Sequence, residues 1–156
     1  MITDKAKEEI EQALRRYPNK RSAVMDCLMI VQRANGGVIT KQDMDEIAGI
    51  LGMKPVEVNS AATFYTMYSV KKPLGRHHVQ VCRNISCSLL GADHIISHLE
   101  KTLGIKTGET TTDGKYTLST VECLGSCGTA PMMQVNDDYY ENLTVEKIEN
   151  IIKGLD

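Results

Sequence analysis

The sequence predicts a helical N-terminal segment followed by a small α/β layer domain built around one sheet. Apolar residues over the first 70 positions recur at helical spacing, and the periodicity changes after Lys72-Pro73-Leu74-Gly75. Short strand-like runs then alternate with two amphipathic stretches, the pattern of a layered α/β unit. The break divides the chain into residues 1–72 and 73–156.

Each element has its own signal. Ala6, Ile10, Ala13, Leu14 and Tyr17 line one face of a first helix, which Pro18 ends. Val24, Cys27, Leu28 and Val31 continue the period in a second helix from Ser22 to Ala34, and Asn35-Gly36-Gly37 supplies its stop. Thr40 and Asp43 resemble a capping pair for a third helix, whose stripe of Met44, Ile47, Ala48 and Leu51 closes at Gly52. Pro55 fits the first position of a fourth helix, carried by Val58, Ala61, Ala62 and Tyr65 toward Tyr68. Beyond the boundary, His77 to Cys82 suits a strand, and Ser88 to Leu103 returns to a helix with Leu89, Ala92, Ile95, Ile96, Leu99 and Leu103 inward. Thr110 to Thr112 and Lys115 to Glu122 flank Asp113-Gly114, a two-residue hairpin signal. Pro131 to Val135 reads as another short strand, and Thr144 caps a last helix carrying Val145, Ile148, Ile151 and Ile152. The order is β-α-β-β-β-α, with one strand open to reassignment.

Composition narrows the function. The 156 residues are 42% hydrophobic and 24% charged, an ordinary soluble globular balance. A chain of this length buries roughly two-thirds of its unfolded surface, so folding alone requires neither disulfides nor a metal. A net charge of −2 argues against a generic polyanion binder. With no apolar run long enough to span a bilayer, and with Lys5, Lys7, Glu8, Glu9 and Glu11 where a signal peptide would be apolar, a cytoplasmic protein without membrane insertion is expected.

The cysteines carry the chemistry. Cys82 and Cys87 form C-x4-C, Cys123 and Cys127 form C-x3-C, and 35 residues separate the pairs. Each pair follows the end of a predicted strand, so two adjacent strand ends of one sheet would bring all four thiols to one edge. Gly125 and Gly128 let the second loop turn tightly around a bulky group and donate its amides to sulfur. Tetrahedral sulfur suits zinc or an iron–sulfur cluster. Structural zinc knuckles usually use x2 spacing, so the wider intervals favour an object with two irons, one held by each pair. Spacing alone leaves three readings: cluster, zinc site and unliganded thiols. Neither pair has the C-x-x-C of a redox dithiol. Cys27, on an apolar helix face, is a core residue by this reading. His77 and His78 invite comparison with histidine-ligated clusters, but neighbours on a strand point to opposite faces.

The run VCRNISCSLLGADHI at 81–95, followed by TLSTVECLGSCGTAPMMQVNDDYYENLT at 117–144, closely resembles the NuoE-type small ferredoxin subunit of NADH dehydrogenases and of related NAD(P)-linked hydrogenases and formate dehydrogenases. GGVIT, ending at Thr40, and ATFYTMYS at 62–69 extend the resemblance over essentially the whole chain. The resemblance implies an N-terminal helical bundle at 1–72, a thioredoxin-like domain at 73–156, and one [2Fe–2S] cluster on Cys82, Cys87, Cys123 and Cys127. It also implies docking on a flavoprotein subunit that holds FMN and oxidises NAD(P)H, within a larger redox complex. This chain would then be an electron-transfer subunit with no complete catalytic site of its own. The sequence has no G-x-G-x-x-G and no Walker loop to suggest that it binds the dinucleotide itself.

Two further features have competing readings. Lys71, Lys72, Arg76 and Arg83 stand without an acid between Ser69 and Arg83. They could offset a cluster's negative charge, contact the flavoprotein, or form a solvated linker. Thr40 to Tyr65 has the outline of a helix-turn-helix, as in a regulator with an iron–sulfur sensor. Two lysines stand against four acids between Gly36 and Thr66, and the would-be recognition helix has no arginine, so nucleic-acid binding is not expected. A zinc-stabilised adapter without redox chemistry is the other alternative.

Overall fold

The computed structural model describes residues 1–155. Two compact units divide the chain, Met1–Pro73 and a second beginning at Leu74.

The first unit is helical. Helix α1 spans Asp4–Leu14, α2 Val24–Ala34, α3 Lys41–Leu51 and α4 Pro55–Phe64, with a single 3-10 turn at Lys20–Ala23 before α2. Thr3 caps α1 by accepting from the Ala6 amide. The helix ends at Leu14 rather than near Pro18, because Arg16 and Tyr17 make tighter bonds three residues back. Tyr17 then turns its hydroxyl to donate to Asp26 at 3.0 Å. Helix α4 likewise stops at Phe64 instead of running toward Tyr68: Tyr65 is extended, and the Tyr68 hydroxyl donates to the Met25 carbonyl at 2.9 Å. Buried Gln32 holds the segment that follows, donating to Met67 O and accepting from the Ser69 amide. Ile10, Leu28, Val31, Ile39, Ile47 and Val58 form the core between these helices.

The capping pair of α3 is a buried polar anchor. One carboxylate oxygen of Asp43 accepts from the Thr40 amide at 2.9 Å, the Thr40 hydroxyl at 2.6 Å and the Asn35 side chain at 2.8 Å. Thr40 returns the bond by accepting from the Asp43 amide. Burial alone would push the Asp43 pKa up, yet the Thr40 hydrogen bonds and the nearby terminal ammonium outweigh it and hold the carboxyl below its ordinary value.

The second unit is organised around β1, His77–Cys82. It lies parallel to β2, Tyr116–Val121, and antiparallel to β3, Met133–Val135, which pairs with β4, Asp138–Tyr140. The sheet order is β2-β1-β3-β4. Helices α5, Ile85–Leu89, and α6, Ala92–Leu103, connect the parallel strands, and α7, Val145–Gly154, closes the unit behind its Thr144 cap. Val79, Val81, Leu118, Met133 and Val135 of the sheet pack with Ile95, Leu99 and Ile148. No helix among the described residues is long and apolar enough to cross a membrane.

Three expectations change here. The helix foreseen from Ser88 is two helices, because Gly91 takes φ +97°, a backbone state that an L side chain rarely adopts. Leu89, foreseen as inward, is consequently on the free face of α5 and 81% exposed. Thr110 to Thr112 contributes one bridge to Thr117 rather than a strand, since the Thr111 hydroxyl takes the Tyr116 amide that a ladder would use. The fourth strand is instead β4, reached through a two-residue Asn136-Asp137 turn. Asn136, at φ +54°, accepts from the His78 amide and donates to Arg76 O, tying the turn to β1.

Replacing Asp43 with Ala should lower the stability of the first unit by about 2 kcal/mol at neutral pH, read from its urea midpoint. Because the folded pKa is depressed, that contribution is present above the unfolded value of about 3.9 and is lost as pH falls through the folded one. The gap between native and variant should therefore narrow in acid.

Candidate metal centre

Strand register brings the two cysteine pairs to one sheet edge. Cys82 is the last residue of β1 and stands opposite Val121, the last of β2. The Arg83 amide donates to Val121 O at 2.9 Å, so the two loops leave the sheet side by side. The Cys82 sulfur lies 3.9 Å from Glu122 O, the residue before Cys123. Across the other edge of β1, the Cys82 amide donates to Met132 O.

The first pair is buried and the second exposed. Asn84 starts α5 by accepting from the Ile85 amide, and this short helix turns Cys87 inward. Cys82, Cys87, Ala92 and Met132 form a small apolar cluster with Leu124 and Ala130 against it. The peptide bond before Pro131 is cis. In the second loop Gly125, at φ +78°, aims its amide at the Cys123 sulfur, 3.3 Å away. Cys127 opens a 3-10 turn that ends at Thr129.

The thiols sense one another. Burial pushes the Cys87 pKa up, a hydrogen bond with Cys82 and the nearby charges of Cys82 and Cys127 add to it, and a backbone hydrogen bond from Met132 pulls it back. Cys87 thus feels the charges of Cys82 and Cys127, and the Glu122 carbonyl, one residue before Cys123, stands beside the Cys82 sulfur. Converging thiolates repel, and a cationic core relieves that repulsion. Four sulfur donors, with backbone amides directed at Cys87 and Cys123, fit the [2Fe–2S] group that the sequence resemblance implies. Among the described residues, no three His, Cys, Asp or Glu side chains already stand as a ready site for a metal ion.

The remaining candidates separate from this edge. Cys27 is buried in the first unit, where burial and the neighbouring Asp26 push its thiol up to about 11. It is a protonated core thiol. His78 makes a 2.7 Å hydrogen bond with Ser119, and burial lowers its pKa to about 4. His77 packs its ring against Tyr116. Four supporting residues had no motif to mark them: Asn84, Met132, Tyr139, whose hydroxyl donates to Leu124 O at 2.9 Å, and Glu141, whose carboxylate accepts from Ser126 and Thr129. Asn84 acts as a local helix cap and the other three through tertiary contact, none of them through ligand spacing.

Residues 10–156 match the family described as thioredoxin-like [2Fe-2S] ferredoxin. The chain is 50% identical over 148 residues to an E-type subunit of the NADH-quinone oxidoreductase of Rhizobium meliloti, covering 95% of this chain and 87% of that protein. It is 45% identical over 147 residues to the E-type subunit of the NADH-quinone oxidoreductase of Rickettsia conorii, covering 93% and 87%. Its fold is similar to part of an NAD+-reducing [NiFe]-hydrogenase crystallised in the air-oxidized state, with a TM-score of 0.70 and 19% identity. That likeness covers 85% of this chain and 22% of the hydrogenase chain.

Cys82→Ala and Cys123→Ala should each lose or destabilise the visible absorption of anaerobically prepared protein, whereas Cys27→Ala should keep it. An unchanged spectrum in Cys82→Ala would remove that residue from the ligand set.

Proposed function

This chain belongs to the thioredoxin-like [2Fe–2S] ferredoxin family, and we propose that it is the one-electron carrier subunit of a complex of the NADH–quinone oxidoreductase type. In this reading Cys82, Cys87, Cys123 and Cys127 hold one [2Fe–2S] cluster, and the chain docks on a flavoprotein subunit carrying FMN and binding NAD(P)H, at the cytoplasmic side of the complex. The observation that carries the proposal is that β1 and β2 end side by side at Cys82 and Val121, so that the loops bearing both cysteine pairs leave the sheet together.

When bound, the cluster supplies one-electron redox chemistry. The chain's own residues set the conditions for it. Met132, Ala92 and Leu124 keep water from the inner cysteine pair, and amides directed at Cys87 and Cys123 stabilise charge on sulfur. Exposed Arg83, one residue beyond Cys82, adds a positive field at the same edge. The absence of dinucleotide and Walker motifs from the sequence supports leaving hydride chemistry to the partner.

Electron transfer needs close approach, so the docking surface should adjoin the cysteines. Ile85 and Leu89, 71% and 81% exposed, lie four residues apart on the helix that carries Cys87, and exposed Leu90 follows. No charge interrupts Ile85 to Leu90. We assign this ridge to the flavoprotein, since an apolar surface two or three residues from a ligand brings the two redox groups near while excluding water between them.

With cluster loaded, the isolated chain should not be reduced by NADH, and adding the flavoprotein subunit should allow reduction. NADH oxidation by the flavin-free chain would overturn the division of labour. Leu89→Asp should weaken association with the flavoprotein about tenfold while leaving the visible spectrum unchanged.

A further inference from the structure

We propose that Glu141 is a positioning residue for the outer cysteine pair, its carboxylate clamping the loop that carries Cys123 and Cys127 and thereby setting cluster retention and reduction potential. The proposal deepens the electron-carrier reading above and rests on it for the redox readouts alone.

The outer loop lacks the support that the inner pair enjoys. Cys82 closes a strand and Cys87 sits in a helix, both buried, but Cys123 and Cys127 are exposed on irregular backbone and one 3-10 turn. Polar contacts from the segment between β4 and α7 take over that task. One Glu141 carboxylate oxygen accepts from the hydroxyls of Ser126 and Thr129, the latter at 2.7 Å. These hydroxyls stand 2.8 Å from each other. Ser126 directly precedes Cys127 and Thr129 closes its turn, so the carboxylate grips the chain on both sides of the ligand.

The anion is well suited to this place. Two hydroxyls bring two protons to a triangle of three oxygens, and a carboxylate needs no proton of its own to complete it. Hydrogen bonds from Ser126 and Thr129 accordingly hold the Glu141 pKa below its ordinary value. The same segment is fastened around it. The Asn142 amide donates to Thr129 O at 2.7 Å, the Tyr139 hydroxyl reaches Leu124 O, and the Lys147 ammonium donates to Glu141 O at 2.5 Å. Leu124 and Thr129 lie on either side of Cys127, so three anchors, Tyr139, Glu141 and Asn142, fix the loop from one side. The carboxylate's negative charge, held on the residues that flank Cys127 and partly offset by the Lys147 ammonium, also opposes the arrival of an electron, which lowers the potential.

Two variants separate the clamp from the charge. Glu141→Gln keeps the length and an acceptor oxygen but removes the charge, and it should shift the cluster potential to a more positive value with little change in retention. Glu141→Ala, or Ser126→Ala combined with Thr129→Val, should release iron to a chelator about ten- to a hundredfold faster. The losses from the Glu141→Ala and hydroxyl variants should not add when combined, because they break one network. In the metal-free full chain, hydrogen exchange of the amides from 126 to 129 should quicken in Glu141→Ala and not in Glu141→Gln. Unchanged potential in Glu141→Gln, or unchanged exchange and iron release in Glu141→Ala, would overturn the proposal. A wild-type chain that takes up no cluster would instead count against the electron-carrier reading, while the exchange measurement still decides the clamp.

Discussion

The parallel pairing of β1 with β2 is the constraint on which the chemistry of the second unit depends. Residues 82 and 123 are far apart in sequence, yet the register that sets Cys82 opposite Val121 makes their loops neighbours. Pleat alternation leaves little freedom in that register, because a slip of one residue would turn Val79 and Leu118 away from their core. The same slip would carry the Cys82 sulfur off the apolar floor it shares with Cys87 and Met132. Packing of the sheet and placement of the two cysteine loops are therefore one structural event.

The two halves of that edge are built from different materials. Apolar contacts hold the inner cysteines, and the burial that places them raises the cost of ionising Cys87. Hydrogen bonds hold the outer pair, which stays open to solvent. This asymmetry suits a redox carrier. A wholly buried site would hinder electron exchange with a partner, and a wholly exposed one would lose metal and water control. The thiol of the helical unit, Cys27, is held protonated in that unit's own core.

Legibility followed the range of the interactions. The Thr40 and Asp43 cap, the Pro55 start, the β1 strand and the Thr144 cap are local, and each stands where residue pattern placed it. The cysteine spacing and its link to strand ends were also visible, because Cys82 ends β1 and Cys123 lies two residues beyond β2. The break at Gly91 was missed because an apolar stripe running through it mimicked one continuous helix. β4 was missed because Asp138, Tyr139 and Tyr140 have only a short edge to offer, and it is their pairing with β3 that makes them a strand. Glu141 looked like any surface acid; only the folding of its segment against Ser126 and Thr129 gives it a role.

Chemical analysis of iron and acid-labile sulfide on anaerobically purified chain, paired with electron paramagnetic resonance after reduction, tests the central claim most directly. A joint cage of four thiolates predicts a reddish-brown protein with about two irons and two sulfides per chain and a rhombic signal from a single unpaired electron. A colourless chain holding one zinc and no sulfide would contradict it and turn the same four cysteines into a structural clip.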